Sequence, residues 1–314
     1  MENDERTYAV LEPAGTNTCR VAICYFEHKT ASDFQAKLPP RARGYRTNRQ
    51  VVEAVGKGEV NFGVVAIETL SGIERPAMDA IIKNPSVVPV EELRVPIRHA
   101  LIAVRPYELD EIVVVRSHEQ ALSQCEDSLA TYVPHAATEA RTSTTRAMEE
   151  LKTERMAGIA ALGDKEFARA NGLYVLRENF QDSLNNATRF LVLMHYDPAL
   201  GSIGLRTPDD GYRTVVLAHL ENKPGALSTL LEVLNKHKRN MTRIELRSTK
   251  RDLGEYVFWV EFEGYTREPE VMAILEEMQE CTRHFRCLGS FGITHMDPWG
   301  PVLYPKGRSF YYPK

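Results

Sequence analysis

A threonine and an arginine stand side by side at the start of an apolar run, in the segment ENFQDSLNNATRFLVL at 178–193. Thr188 is a hydroxyl residue at the mouth of a predicted strand, where it can donate a hydrogen bond into a cleft. The guanidinium of Arg189 can bind a carboxylate through two parallel hydrogen bonds. The pair therefore predicts a site for an acidic ligand, while a strand edge with a solvated arginine is the alternative that involves no ligand.

Three other segments place hydroxyl groups at predicted helix starts, and they read EPAGTNT (12–18), RSHEQALSQC (116–125) and RTSTTR (141–146). Ser117 is the predicted N-cap of the second segment. Backbone N–H groups that are free at a helix start attract carboxylates and phosphates. Ordinary helix capping explains each segment when it is taken alone. The imidazole of His118, in a predicted first turn, is either a general acid or a solvated side chain. The candidate ligand-binding residues in these segments are Thr16, Ser117, His118, Gln120, Ser143 and Thr144.

The composition describes a globular chain without a nucleic-acid face. Of its 314 residues 43% are hydrophobic and 26% charged, and 39 Lys+Arg against 43 Asp+Glu give a net charge of -4. A duplex-binding protein would concentrate basic residues in one stretch, and this chain does not. The five cysteines are scattered and show no metal-ligand spacing, so we expect free thiols, a reducing compartment, and neither metal nor cofactor.

The beginning of the chain, MENDERTYAVLEPAGTN, has no basic segment followed by an apolar core, as a secretory signal would. No apolar run approaches the roughly 18–20 residues that cross a bilayer. We therefore expect a cytoplasmic protein with no membrane partner.

Apolar runs alternate with helical patterns up to about His195, which predicts an α/β unit with a largely parallel sheet. The segment HYDPALGSIGLRTPDDGY is rich in Pro, Gly and Asp and marks a linker. Beyond it the order of predicted elements is βαββαβ, the ferredoxin-like split, ending in a short strand at FRCLGSF. The predicted boundaries are a first unit at 1–200, a linker at 201–211, a second unit at 212–295 and an aperiodic tail at 296–314.

The order of these motifs resembles that of the prephenate dehydratases, with an ACT regulatory domain attached. The family's GPxGTFS turn corresponds to EPAGTNT, its SHxQALxQC segment to SHEQALSQC, and its STAxA helix start to TSTTRA. Its GLxVLxxxIxDxxxNxTRFxVL stretch corresponds to GLYVLRENFQDSLNNATRFLVL at 172–193. HAL at 99–101 matches the strand in which the family has HxL.

The resemblance implies a two-lobed catalytic unit like the type II periplasmic binding proteins, with crossings between the lobes near Val87 and Gly172. It implies decarboxylating dehydration of prephenate to phenylpyruvate in phenylalanine biosynthesis, with Thr188 as the residue that promotes loss of the ring hydroxyl. Arg189 and Phe190 complete the family's TRF motif and are counted among the substrate-binding residues. The substrate is already poised to become aromatic, so positioned hydroxyls, helix starts and an arginine suffice without a cofactor.

One pocket segment departs from the family. Where members read PxENSxxGxV, this chain reads AIETLSGIER at 66–75: Glu68 is kept, Thr69 and Leu70 replace Asn and Ser, and Ser71 is the nearest hydroxyl that could substitute. Asn17 stands where the family has Phe. The departures leave open a prephenate decarboxylase, an arogenate dehydratase or a catalytically silent amino-acid sensor; the intact TRF motif favours dehydration.

The second unit resembles an ACT domain of the kind that binds phenylalanine. ENKPGALSTLLEVL at 221–234 matches the NxPGALxxxL turn, and IELRSTKRDLGEYVFWVEFEGY at 244–265 resembles the segment beginning IESRP. The resemblance implies pairing of ACT units into a homodimer or homotetramer. A silent dimerisation domain is the alternative. The expected effector-binding residues are Asn222, Pro224, Gly225, Ala226, Leu227 and Glu245.

Overall fold

The computed structural model describes residues 6–12, 16–27, 38–70, 72–183, 185–196, 208–248 and 256–297. Their strands form one sheet of ten strands and one of five. Within these ranges no helix combines the length and the apolar character that a bilayer crossing needs. Ser71, the predicted linker before residue 208 and the predicted tail beyond residue 297 lie outside the described residues.

The first lobe begins the chain and builds one end of the ten-stranded sheet. Its apolar run FGVVAIET has six buried residues in succession, which is typical of a strand covered on both faces. Its second helix begins after Thr47, whose side chain accepts a hydrogen bond from Gln50 N. The elements are Tyr8–Leu11 (β1), Asn17–Glu27 (α1), Ala42–Tyr45 (β2), Asn48–Gly56 (α2), Phe62–Thr69 (β3), Gly72–Ile73 (β4), Arg75–Lys83 (α3) and Val87–Pro96 (β5).

The second lobe follows and has its own sheet. Its elements are Ala100–Ala103 (β6), a 3-10 turn at Leu109–Glu111, Val114–His118 (β7), Glu119–Ser123 (α4), Glu126–Tyr132 (α5), Ala137–Arg141 (β8), Thr144–Glu154 (α6), Ile159–Gly163 (β9), Lys165–Ala170 (α7) and Tyr174–Arg177 (β10). The strand order is β10-β6-β9-β7-β8. The IAALG strand β9 lies in the middle and is buried throughout, because its small apolar residues leave room for helices on the faces.

The chain returns to the first lobe at β11, Ala187–His195, which pairs antiparallel with both β3 and β5. Both crossings therefore lie later than predicted. Val87 begins the continuous ten-residue strand β5, which still belongs to the first lobe, so the chain leaves after Pro96. Gly172 is followed by β10, which pairs with β6 of the second lobe.

The predicted helix after Ser117 is two short helices, α4 and α5, separated at Cys125. The break is stabilised from a distant part of the sequence: Asp182 accepts hydrogen bonds from the backbone N–H groups of Asp127 and Ser128 at the start of α5. A carboxylate at a helix start satisfies amides that have no partner within the helix. Asp182 N–H in turn donates to the carbonyl of Gln124.

The second predicted unit has the βαββαβ order, and the two-lobed α/β unit followed by a ferredoxin-like unit is confirmed. Its elements are Tyr212–His219 (β12), Ala226–Lys236 (α8), Met241–Ser248 (β13), Tyr256–Glu263 (β14), Pro269–Glu280 (α9) and His284–His295 (β15), with strand order β13-β14-β12-β15. The last strand has twelve residues rather than the short run predicted. A bulge at Leu288 interrupts its pairing with β12, and the next residue, Gly289, takes a φ of +102°.

The end of β15 pairs in parallel with β5, so the sheets of the first lobe and of the ACT-like unit are continuous. One face of the ACT-like sheet packs against α8 and α9 around Leu230 and Val260. Its other face packs against α2 and α3 of the first lobe, and Trp259 on that face is fully buried. The ACT-like unit is therefore joined to the first lobe by a shared sheet and by a shared core.

Candidate active site

A cavity of about 310 Å³ lies between the two lobes, within the size range of small-molecule sites. First-lobe residues from α1 and β3 line one wall, and residues from the starts of α4 and α6 line the other. Two residues of β11 complete it. The predicted site residues that this cavity brings together are Thr16, Asn17, Thr69, His118, Gln120, Ser143, Thr144, Thr188 and Phe190.

Thr188 lies on β11, opposite Val95 of β5. Side chains alternate along a strand, so Thr188 and Phe190 face the cavity while the residue between them points to the other side of the sheet. Thr188 is 7% exposed and Phe190 is 1% exposed. The threonine thus lies in a largely buried part of the cavity wall, two positions from an aromatic side chain that lines the same cavity.

The start of α1 forms the first-lobe wall. The hydroxyl of Thr16 donates to the carbonyl oxygen of Leu11 at 2.9 Å and accepts from the N–H of Cys19 at 3.3 Å. It thereby fixes the turn that leads from β1 into the helix. The N–H groups of Asn17 and Thr18, in the first turn, have no partner within the helix, and both residues line the cavity.

The second lobe faces this helix with two further helix starts. Ser143 caps α6 by accepting from Arg146 N at 3.0 Å. His118, not Ser117 as predicted, caps α4, and its Nδ1 accepts from Gln120 N at 3.2 Å. Strand β7 continues to His118, so Ser117 stays within the strand, fully buried, and its hydroxyl donates to the carbonyl of Leu162 at 2.8 Å. The structure thus assigns Ser117 to the core of the second lobe and not to the cavity.

A buried polar network at the crossing between the lobes forms part of the cavity wall. His99 Nε2 is 3.1 Å from Gln124 Oε1, which also accepts from Asn186 Nδ2 at 3.0 Å. The backbone N–H of His99 donates to Gln181 Oε1. Burial lowers the pKa of His99, although the hydrogen bond to Gln124 and the charge of Asp164 act in the opposite direction. The imidazole is held neutral with its hydrogen on Nε2, because Gln124 presents an acceptor to it.

Arg189 and Glu68 do not face the cavity. The guanidinium of Arg189 points to the opposite side of the sheet and donates to Glu68 Oε2 at 2.8 Å, to Glu92 Oε2 at 2.6 Å and to Glu261 Oε2 at 2.8 Å. Alternation along β11 explains the position of Arg189, which follows the cavity-lining Thr188. On β3 the pairing with β11 skips Ile67, and this bulge turns Glu68 away from the side on which Ala66 and Thr69 line the cavity. The predicted carboxylate partner of Arg189 is therefore supplied by the protein itself.

Several cavity residues were absent from the predicted set. They include two carboxylates, one cation and the network histidine with its amide partner: Glu12, Glu74, Arg46, His99 and Gln124. The HAL match pointed to the histidine, and Gln124 belongs to the SHEQALSQC match. No sequence signal pointed to Arg46, which reaches the cavity because β2 lies beside β1 in the sheet.

The predicted effector residues lie on two parts of the ACT-like unit. Asn222, Pro224 and Gly225 lie in the turn from β12 into α8, and Ala226 and Leu227 are the first two residues of that helix. Gly225 caps this helix with a φ of +83°, a conformation that side chains disfavour. Glu245 lies on β13, opposite Trp259 of β14.

Comparison with known proteins matches both units of the chain. The family model for prephenate dehydratase matches residues 8–198, and that for the ACT domain matches residues 214–279. A bifunctional chorismate mutase/prephenate dehydratase from Aquifex aeolicus is 31% identical over 284 residues, 90% of this chain and 72% of that protein. The prephenate dehydratase of Lactococcus lactis is 31% identical over 79% of this chain and 88% of its own.

A solved structure is similar over both units. The prephenate dehydratase of Arthrobacter aurescens, in complex with L-Phe, superposes with a TM-score of 0.76 at 27% identity, covering 91% of this chain and 89% of that one. The chain belongs to the prephenate dehydratase family.

Proposed function

We propose that the chain catalyses the decarboxylating dehydration of prephenate to phenylpyruvate, the reaction that serves phenylalanine biosynthesis. The observation that carries the proposal is the placement of Thr188 on a rigid strand, facing a cavity whose other walls are helix starts from both lobes. Family membership supports the same reaction.

The substrate supplies most of the driving force. Prephenate is a cyclohexadiene with a ring carboxylate, a pyruvyl side chain and a hydroxyl on the opposite ring carbon. Cleavage of the bond to the ring carboxylate releases carbon dioxide, and its electron pair moves through the ring and expels the hydroxyl oxygen. A hydrogen bond from Thr188 stabilises the negative charge that develops on that oxygen, which leaves as water once it has gained a proton.

The walls of the cavity suit the two carboxylates of such a substrate. Residues at the start of α1 and at the start of α6 line the cavity, and both helices have eleven residues. Helix starts carry partial positive charge and donors without intrahelical partners. Arg46 adds one cation to the lining. Holding both carboxylates fixes the ring so that its hydroxyl meets Thr188.

A buried ion pair holds the lobes together beside the cavity. Arg20 of α1 pairs with Asp164, which caps α7 of the second lobe by accepting from Phe167 N. The arginine side chain is 1% exposed. This contact keeps the cleft narrow, and exclusion of water strengthens each hydrogen bond to the substrate.

The test is to identify the product that the full chain forms from prephenate without added metal or cofactor. We expect phenylpyruvate, measured by the ultraviolet absorbance of its enolate in alkali, with one carbon dioxide released per turnover. A product that keeps the ring hydroxyl would replace the proposal by a prephenate decarboxylase. Binding of prephenate without any turnover would replace it by a sensor.

Arogenate is a second candidate substrate, because the cavity contains carboxylates of its own. Glu12 and Glu74 line it together with Arg46. A carboxylate repels a dianion but attracts the ammonium group that arogenate carries in place of the keto group. We therefore propose measuring kcat/KM for both substrates: a preference for arogenate that Glu12→Gln or Glu74→Gln removes would assign the ammonium to these side chains.

We propose that phenylalanine binds the ACT-like unit and that this unit pairs two chains. Strand β13 is the last strand of its sheet and has a partner, β14, on one side only among the described residues. Leu227, Leu246 and Tyr256, beside or on this edge, are 36%, 50% and 48% exposed. Light scattering should find a dimer or tetramer, which Leu246→Lys should dissociate.

Calorimetry should detect heat when phenylalanine is added to the protein, and no heat at millimolar phenylalanine would end the effector proposal.

We also propose a cytoplasmic location. None of the five cysteines, all of which lie in the described residues, forms a disulfide. Free thiols are the usual state in a reducing compartment. Fractionation of the native host should recover the chain with cytosolic markers, and recovery with exported proteins would contradict the proposal.

A further inference from the structure

The side of β11 opposite Thr188 holds a buried group of charges, here called the Arg189 cluster. Its centre is the guanidinium of Arg189, which donates to three carboxylates at 2.6 to 2.8 Å. Two of these carboxylates, Glu92 and Glu261, have side chains 0% and 1% exposed. The remaining members of the cluster are Glu68, Arg213 and Arg243.

Half of the cluster belongs to the ACT-like unit. Glu261 comes from β14, Arg213 from β12 and Arg243 from β13. Arg213 Nη1 lies 3.1 Å from Glu92 Oε2 and 3.6 Å from Glu261 Oε2. Arg243 pairs with Glu68, and its Nε lies 3.7 Å from Glu261 Oε1. Three carboxylates and three guanidiniums therefore meet across the junction of the two units. A fourth guanidinium, that of Arg94, contacts Glu92 Oε1 at 2.9 Å and also pairs with Asp210 outside the cluster.

The cluster supports β11 where its backbone pairing is irregular. The ladder between β11 and β3 shifts register between Arg189 and Phe190. Regular hydrogen bonds fix the twist of a strand, and a bulge removes part of that constraint. The Arg189 side chain lies at this shift in register, where it donates hydrogen bonds to Glu68 of β3 on one side and to Glu92 of β5 on the other. The pairing of β11 with β5 is regular at the same residues, so the cluster adds its support on the side of β3.

Apolar side chains of similar size would hold two units together at least as well as buried ion pairs do. What an ion cluster adds is direction, because a planar guanidinium satisfies several carboxylates in one geometry only. Burial acts to raise the pKa of Glu92, but the charges and hydrogen bonds of Arg189, Arg213 and Arg94 outweigh it and lower that pKa. The carboxylate is thus held charged and in place.

The cluster continues toward the predicted effector strand. The indole N–H of Trp259 donates to Glu261 Oε1 at 2.9 Å. Trp259 lies opposite Glu245 in the ladder between β13 and β14, and Glu261 lies opposite Arg243. A predicted effector residue is therefore two ladder positions away from a carboxylate that contacts Arg189.

We propose that Arg189 is a positioning residue for Thr188 and that Glu261 of the ACT-like unit completes its support, so that the orientation of the catalytic hydroxyl depends on the regulatory unit. This inference rests on the proposed dehydratase activity for its kinetic readout. It assigns Arg189 a role without contact to the substrate.

The kinetic test compares Glu261→Gln with Glu277→Gln in the full chain. Glu277 is a matched control, because it is an ion-paired glutamate on α9 of the same unit, bonded to Lys236 and His237 and outside the cluster. We expect Glu261→Gln to lower kcat for prephenate about tenfold with KM changed less than about twofold, and Glu277→Gln to change neither. An unchanged kcat in Glu261→Gln would overturn the inference.

A double-mutant cycle separates positioning from general damage. If Glu261 acts through the hydroxyl of Thr188, its substitution should cost less than about twofold in kcat once Thr188→Ala is present. Equal losses in both backgrounds would overturn the inference. If the single change Glu261→Gln impairs folding, the double variant Glu261→Gln/Arg213→Gln replaces it. The double variant removes one charge of each sign and so leaves the net charge of the cluster unchanged. It should show the same loss of kcat as Glu261→Gln.

A structural readout distinguishes failure of this inference from failure of the proposed function. Amide hydrogen exchange of the segment 187–195 needs no substrate. We expect faster exchange at Thr188 and its neighbours in Glu261→Gln than in wild type or Glu277→Gln, because β11 loses a lateral constraint. Unchanged exchange would overturn the inference even if prephenate were not the substrate.

Discussion

Replacement of His99 by glutamine should change how the stability of the protein depends on pH. His99 is 5% exposed and its Nε2 contacts Gln124 Oε1 at 3.1 Å. Burial is the largest cause of its lowered pKa. In the unfolded chain the imidazole should titrate near its ordinary value of about 6.5. Between these two pKa values the unfolded state binds a proton that the folded state does not.

The sign and size of the effect follow from this difference in proton binding. The stabilising contribution is fully present above pH ~6.5 and is lost as the pH falls from there toward the pKa of the folded state. Within that window a full difference of one proton changes the free energy of unfolding by about 1.4 kcal/mol per pH unit. Glutamine keeps a hydrogen-bond donor for Gln124 but binds no proton, so His99→Gln should remove this part of the dependence.

Urea unfolding at pH 7.5, 6.5 and 5.5 measures the dependence for both proteins. We expect wild type to lose up to about 1 kcal/mol more than His99→Gln between pH 6.5 and 5.5, because the unfolded imidazole is already half protonated at pH ~6.5. His135→Gln, which replaces an exposed histidine, controls for the loss of a histidine as such. Parallel pH profiles of wild type and His99→Gln would refute the conclusion that the folded protein holds this imidazole neutral.

Three further predictions concern single side chains. Ser117→Ala should lower the free energy of unfolding by about 1–3 kcal/mol, because the buried carbonyl of Leu162 loses a hydrogen-bond donor. The same change should leave KM for prephenate unchanged, and a raised KM would return Ser117 to the substrate site. Ser143→Ala should raise KM and cost about 1 kcal/mol in denaturant unfolding, and an unchanged KM would remove the start of α6 from the substrate site. The pKa of Glu92 is lowered in the folded protein, so its stabilising contribution is present above pH ~4.3 and is lost as the pH falls through the pKa of the folded state. Glu92→Gln should therefore make the free energy of unfolding depend less steeply on pH in acid. An equally steep dependence in acid would contradict this.

The local elements of the protein were readable from its sequence because each carries its own signal. The βαββαβ order of the ACT-like unit follows from apolar periodicity bounded by turn residues, and its core around Leu230 and Val260 is assembled from those same runs. Five predicted helix-start residues line the cavity, because a hydroxyl or imidazole before a helical pattern marks the position of a helix start.

Contacts between elements that are distant in sequence were not readable. The pairing of β15 with β5 joins two units that the linker separates, and no periodicity indicates which strand edges meet. The division of α4 from α5 depends on Asp182, more than fifty positions away from the amides that it caps. Such interactions depend on tertiary structure, which local propensity does not determine.

The motif placed Arg189 beside Thr188 in the sequence, but it did not indicate to which side of the sheet the Arg189 side chain points. A resemblance to a family indicates which residues occupy a site and leaves open which face of the strand each side chain takes. Alternation along β11 was the missing argument: if Thr188 and Phe190 face the cavity, then Arg189 faces away from it. Glu68 needs a further argument, because Ala66 and Thr69 of β3 both line the cavity and the bulge between Ala66 and Glu68 interrupts the alternation.

The most direct test of the dehydration mechanism compares Thr188→Ala with Thr188→Ser in steady-state kinetics with prephenate. Loss of an oxyanion-type donor typically costs about 10²–10³ in kcat, so we expect a loss of that size in Thr188→Ala with little change in KM. Thr188→Ser keeps the hydroxyl and should retain most of the wild-type kcat. Equal kcat values for wild type and Thr188→Ala would contradict the role of this hydroxyl and the mechanism built on it.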